Sequence, residues 1–261
     1  MQRASRGETI SNVDRLCFGH RGQLSNEFDE LFRSLFRHAE HHIDVVRALA
    51  LKAGGMSRGE LVKSSGISDG GGMTQTLTEL EQCGFVRKFR DFEAGKGENL
   101  YQLVDPFTLF WLRFVEGNDA EGWWKSNYGG ASQRAWSGYA FELVCLLHVR
   151  QILHAMEVLG VSHTARSWRS RRMGDGAQID LVIDRADGVI NLCEMKFSDG
   201  PFEITKSYEQ QLLHKREVFA RETQTRKALH LTLVTPHGLA QGRHQGVAQE
   251  VVTMSDLLWR P

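Results

Sequence analysis

Two apolar runs in the second half of the chain carry ionisable residues at their centres. Gln178-Ile179-Asp180-Leu181-Val182-Ile183-Asp184 is the first, and Val189-Ile190-Asn191-Leu192-Cys193-Glu194-Met195-Lys196-Phe197 the second. Ala186-Asp187-Gly188 lies between them. Period-2 alternation reads as strand, and a short Gly-containing link joins the two strands as a hairpin. An acid or a lysine inside such a strand needs a reason, because a buried charge is costly unless it is paired or metal-bound. Successive strand residues point to opposite faces. Glu194 and Lys196 are thus expected on one face, with Cys193, Met195 and Phe197 on the other, in the core. Asp180 on the adjacent strand shares the first face. Gln178, two residues earlier, is expected beside it. Glu142, one helix upstream, supplies another carboxylate above that face.

This is the residue set that metal-dependent phosphodiester hydrolysis needs. A hard cation such as Mg²⁺ takes oxygen ligands and keeps several waters. Two or three carboxylates must converge on it, and a lysine helps to position the attacking water and offsets phosphate charge. The expected metal ligands for Mg²⁺ or Mn²⁺ are Glu142, Asp180 and Glu194. Lys196 is the expected catalytic lysine and Gln178 an accessory. Two alternatives stand beside this reading. One is an Asp–Lys–Glu ion-pair network on a solvated sheet face, and the other an inactive nuclease-like fold.

The organisation along the chain supports two modules. Residues 27–53 place apolar side chains at helical spacing, from Phe28 and Leu31 to Leu49 and Ala50, and Gly54-Gly55 stops the run. Ser57 and Glu60 have capping-box spacing for a short helix. A helix over Met73–Cys83 follows, closed by Gly84. Phe85–Phe89 and Leu100–Val104 then read as a β-hairpin around a polar tip at Glu93–Asn99. Helix, helix, helix, hairpin is the order of a winged helix-turn-helix. Residues 105–128 are rich in aromatics, and Phe107, Phe110, Trp111 and Phe114 share one helix face. They are expected to be interdomain core, with an aromatic platform for unpaired bases as the sharper alternative. From Ala135 the order is helix, three strands, helix and strand, an α/β unit with a central mixed sheet. The expected segments are 1–26 as an N-terminal segment, 27–105 as the winged helix, 106–130 as an aromatic connector and 131–261 as the α/β domain.

Composition narrows the partners. The chain has 261 residues with 32 Lys+Arg against 32 Asp+Glu, which excludes a uniformly basic nucleic-acid coat but not local basic faces. In the winged helix, Thr74 and Gln75 lie on the helix that would enter the major groove, although Glu79 and Glu81 on it repel phosphate. The wing offers Arg87, Lys88, Arg90 and Lys96. Arg166, Arg169, Arg171 and Arg172 precede the Asp180 strand and can hold a backbone near the carboxylates. Lys206, Gln210, Gln211, Lys215 and Arg216 form a third basic face. DNA is therefore the expected macromolecular partner. The alternatives are protein docking by the winged helix and solvated loops for the arginines. Four scattered cysteines with no CxxC pair read as reduced thiols. The polar N-terminus and the lack of any apolar run near the ~20 residues that cross a bilayer lead to the expectation of a cytoplasmic protein without a membrane partner. His38 and His42 have metal-pair spacing, but nothing nearby in sequence completes a zinc motif.

Glu142, Asp180-x13-Glu194-x-Lys196 resembles the signature order of the PD-(D/E)XK nuclease fold, which is restriction-endonuclease-like. A wider resemblance covers the chain from about residue 10 to its end. Asn12–Phe18, Glu27–Phe32, Tyr101–Phe107, Gly138–Glu142, Gln178–Leu181, Cys193–Phe197 and Leu231–Leu239 are similar to the C-terminal portion of the prokaryotic AAA-type "archaeal ATPase" family. The resemblance implies an α+β chain with a winged helix followed by a nuclease-like α/β domain. It also implies ATP-dependent action on nucleic acid in mobile-element or defence contexts, with residues 1–26 as a remnant of an ATPase lid. The departure is that no G-x-x-x-x-G-K-[ST] exists in the chain. ATP binding is carried over to no residue, and a P-loop ATPase in trans is the implied partner. The remaining alternatives are a non-enzymatic DNA-binding or ATPase-docking module, and a truncated remnant with an inactive nuclease fold.

Overall fold

A computed structural model of the chain describes residues 6–19, 22–90, 99–118, 120–170 and 176–259. The fold is mixed α+β, with a three-stranded antiparallel sheet and a five-stranded mixed sheet. Two compact units meet in sequence at Ala135 and Trp136.

The first unit contains α1 (Arg6–Cys17), α2 (Glu27–Leu35), α3 (Ala39–Ala50), β1 (Met56–Ser57), α4 (Arg58–Ser65), α5 (Gly71–Gln82), β2 (Val86–Phe89), β3 (Leu100–Leu103), α6 (Pro106–Phe110), a π-helical turn at Trp111–Val115 and α7 (Trp123–Asn127). Helix α4 starts where its capping box predicts, with Ser57 and Glu60 capping reciprocally, and ends at Gly66 in the left-handed conformation. Strand β3 is central, pairing with β1 and β2. The single helical run expected over 27–53 is broken. Phe36 is extended between α2 and α3, and its ring stacks on His42 at 3.9 Å, trading helix continuity for a buried aromatic contact. The aromatic stretch after residue 105 belongs to this unit's own core. Trp111 stacks on Phe28 at 4.5 Å, and Trp123 and Trp124 stack on Phe18. Asp14 anchors α7, accepting bonds from the backbone N–H groups of Gly122, Trp124 and Lys125.

Helix α8 (Ala131–Leu147) leads into the second unit, followed by α9 (Val149–Ala155), β4 (His163–Arg169), β5 (Gln178–Arg185), β6 (Val189–Met195), α10 (Lys206–Thr223), β7 (Ala228–Thr235), β8 (Glu250–Thr253) and α11 (Met254–Leu257). The continuous helix expected to Met156 stops at His148, whose Nδ1–H donates to the Val144 carbonyl at 2.7 Å while its backbone N–H turns to Cys145. The sheet order is β4-β5-β6-β7-β8. The pairs β4–β5 and β5–β6 are antiparallel, and β6–β7 and β7–β8 are parallel. Strand β8 was not legible as a strand. Gly188, at φ 90, closes the β5–β6 hairpin. One core joins α8, α9 and α11 to Leu181, Ile183, Cys193 and Met195. The other joins α10 to Ile179, Val182, Ile190 and Leu192. The sheet is therefore covered on both faces. No helix among the described residues is long and apolar enough to cross a membrane.

Candidate functional site

Glu194 sits on β6, which is hydrogen-bonded to a strand on either side. Its side chain is 1% exposed. The alternation of β6 sends Ile190, Leu192 and Glu194 towards α10, and α10 answers with Lys215, whose Nζ donates to Glu194 Oε1 at 2.7 Å. Lys196 Nζ lies 3.8 Å from Oε2, outside hydrogen-bond range, and its side chain is about a third exposed. Oε2 is buried and accepts no hydrogen bond in the protein. Burial pushes the Glu194 carboxyl above its ordinary pKa, the charge of Asp180 adds to the rise, and Lys215 and Lys196 oppose it.

Asp180 is placed by a fault in strand pairing. Arg166 faces Val182 but Trp168 faces Ile179, so the β4–β5 register shifts across Asp180 and Leu181. Ile179 and Val182 consequently join the same core although they are three residues apart. Such bulges re-aim a side chain. Beyond the Leu181–Cys193 pair no further β5–β6 pairing continues, and Asp180 Oδ2 instead accepts the Met195 N–H at 3.1 Å. The carboxylate thus stands in for a strand carbonyl at the point where the two strands part.

The structure therefore brings Asp180, Glu194 and Lys196 together and adds Lys215. Tyr208, also on α10, joins them, with the Lys196 Nζ 5.8 Å from its ring centre. Burial raises the Tyr208 hydroxyl pKa, and the charges of Glu194 and Asp180 raise it further. Glu142 lies on α8, whose Phe141 and Cys145 pack on the sheet face opposite α10. Glu142 and Asp180 both act on the Cys145 thiol, which burial pushes up to about 12. Gln178 is exposed and its Oε1 accepts from Arg169 at 2.8 Å. The bulge lies beyond it, between Ile179 and Val182, and Ala177 and Ile179 still alternate into the core on either side of Gln178. Phe197 departs from expectation as well. Strand β6 ends at Met195, and Phe197 turns out to 43% exposure, touching Phe141 at 6.0 Å instead of entering the core.

Comparison of the chain with protein-family models, curated proteins and solved structures finds no match.

The donors at this site suit a hard cation in kind, because they are carboxylate oxygens and one of them is buried without a partner. Among the described residues, no group of three or more His, Cys, Asp or Glu side chains is placed to hold a metal ion. Asp180 and Glu194 are the pair that fits, with Glu142 on the helix across the sheet.

The nucleic-acid candidates are partly engaged within the protein. Thr74 Oγ1 donates to the Gly70 carbonyl, and Gln75 donates to Glu79, which also bonds His42 at 2.7 Å. That last contact accounts for His42, whose metal-pair spacing with His38 serves α3–α5 packing. Arg87 donates to Gln102 Oε1 and lies over Phe89, Lys88 lies over Tyr101, and Arg90 is exposed. Arg171, Arg172, Lys96 and most of the wing tip lie outside the described residues. Sequence reasoning missed two site residues. Lys215 was visible only as one of several basic residues on a polar helix. Tyr208 carried no signal beyond the proximity of α10.

Proposed function

We propose that the chain is a DNA-binding protein whose second unit hydrolyses phosphodiester bonds with the help of a divalent cation. The observation that carries this reading is Glu194, a buried carboxylate with one oxygen unpartnered, beside Asp180 and Lys196 where two strands part. Asp180 and Glu194 would hold Mg²⁺ or Mn²⁺; Glu142, the third ligand expected from the sequence, lies on the helix across the sheet. The cation would supply Lewis-acid stabilisation of charge on the scissile phosphate. Lys215 fixes Glu194 through Oε1 and leaves Oε2 open. Lys196 carries a charge from the buried carboxylate out to solvent, where it can orient water and balance the phosphate.

Element order supports the rest of the reading. The first unit runs α3-β1-α4-α5-β2-β3, with β1 returning to the hairpin, as in a winged helix. The second unit, with an acid-bearing helix, three antiparallel strands, a crossover helix and a parallel strand, agrees with a PD-(D/E)XK nuclease-like arrangement. With the resemblance to the C-terminal portion of an AAA-type ATPase family, this makes a P-loop ATPase the proposed protein partner.

The test is incubation of purified protein with plasmid and Mg²⁺ or Mn²⁺, beside an Asp180→Ala control. Metal-dependent nicking or linearisation by the wild type alone is expected. No cleavage by either protein refutes the hydrolytic reading. A second reading, a non-enzymatic DNA-binding or ATPase-docking module, is favoured by the 2.7 Å Lys215–Glu194 pair, which partly neutralises the site's most buried acid. Under that reading DNA affinity remains while cleavage is absent.

A further inference from the structure

The site contains a second polar atom that the proposed chemistry has not used. The Tyr208 hydroxyl is buried and has no hydrogen-bond partner in the protein. Its position is fixed from three sides. Thr205 caps α10 by accepting the Tyr208 backbone N–H at 3.2 Å. Phe202 sets its ring edge-on against the tyrosine at 5.4 Å. Lys196 stands 5.8 Å from the ring centre, and the charges of Glu194 and Asp180 act on the phenol. A buried hydroxyl or carboxylate oxygen without a partner is a destabilising feature that folded proteins rarely retain without a reason. Two of the five such side-chain atoms among the described residues belong to this site, the Glu194 Oε2 and the Tyr208 hydroxyl. They form no bond with each other, and a third group that reaches both would satisfy them. A carboxylate oxygen selects a cation or a donor. A phenol oxygen does not replace a carboxylate as a hard-cation ligand, but it accepts well from polarised water.

We propose that Tyr208 is a positioning residue of the cation site, its oxygen accepting a hydrogen bond from a water in the hydration shell of a divalent cation held by Glu194 and Asp180. The inference rests on the reading above and extends it to a residue on a different element. Mg²⁺ and Mn²⁺ retain several waters when bound by few protein oxygens. A site with two well-placed carboxylates therefore needs outer partners to orient that shell. Tyr208 fills this role without adding charge.

The test uses Mn²⁺ alone as probe, with free ion counted by electron paramagnetic resonance during titration of the full chain. Tyr208→Phe keeps the ring and its contact with Phe202 and removes only the hydroxyl. Mn²⁺ affinity is expected to fall about 10-fold or more, as for other outer-shell partners. The metal-free melting temperature is expected to hold or rise, since an unsatisfied polar atom has gone. These opposite signs distinguish positioning from general support of the fold. Saturable Mn²⁺ binding that Tyr208→Phe leaves within twofold of wild type overturns the role of Tyr208 alone, and marks an ordered water as its partner. A variant that melts lower without metal and binds proportionately worse also overturns it. No saturable binding by the wild type overturns the cation reading and this inference with it.

Discussion

The Lys215–Glu194 pair offers a direct measure of how the buried carboxylate is held. Lys215→Met removes the ammonium but keeps most of the aliphatic stem that packs along α10. Glu194 is then left 1% exposed, with Lys196 at 3.8 Å as its remaining cation. Breaking a buried ion pair by removing one partner costs ~3–5 kcal/mol. Lys215 is a quarter exposed and Lys196 remains, which puts the expectation at the lower end, about 3 kcal/mol. In a Glu194→Gln background the same substitution removes only a bond to a neutral amide, worth about 1 kcal/mol. The double-mutant cycle should thus show about 2 kcal/mol of coupling. The assay is urea unfolding followed by tryptophan fluorescence, in which the buried Trp168 reports on the second unit. The pH dependence has a fixed sign. Glu194 titrates above its ordinary value of 4.5 in the fold. The stability linked to its proton is complete below 4.5 and is lost as pH rises through the raised value. Removing Lys215 raises that value further, so its cost should be full where Glu194 is ionised and shrink as pH falls through the raised value and Glu194 protonates. Equal costs in both backgrounds and across the pH range would refute the claim that Lys215 compensates a buried charge.

Two other outcomes are expected in the first unit. Asp14→Ala leaves three backbone N–H groups at the start of α7 without their acceptor and should destabilise that unit by about 3 kcal/mol, read as a lower melting temperature and faster amide exchange at Trp124. If Arg87, Lys88 and Arg90 contact phosphates, replacing all three with Ala should weaken DNA binding at every sequence and flatten the slope of log affinity against log salt by about 2–3, measured by fluorescence anisotropy, and an unchanged slope rejects the wing as a DNA surface.

What could be read in the sequence was whatever depends on near neighbours. The 178–197 hairpin followed from alternation and Gly188. The start of α4 followed from Ser57 and Glu60. Asp180, Glu194 and Lys196 were found because charges in apolar strands are unusual enough to notice. The features that escaped depend on distant partners. A bulge at Asp180 is set by the β4 register, not by any local residue preference. Phe36 leaves its helix for His42 and Phe85, which the 27–53 pattern alone does not reveal. The π-helical turn, closed by the Glu116 N–H on the Trp111 carbonyl, lets Trp111 reach both Phe28 and the Ser25 carbonyl. Lys215 looked like any solvated lysine on a helix of low apolar contrast until Glu194 was found beneath it. Phe197 was assigned to the core because alternation was extended past the last paired residue.

The Met195 N–H bond to Asp180 has a consequence for how this position would change over time. Asp180 completes the sheet whether or not any chemistry takes place, so a lineage without such chemistry would still be under pressure to keep Asp or Asn there. Glu194 has the opposite standing, since its buried charge burdens the fold and Gln or an apolar residue would relieve it. Persistence at position 180 would then record architecture, and persistence at position 194 would record use.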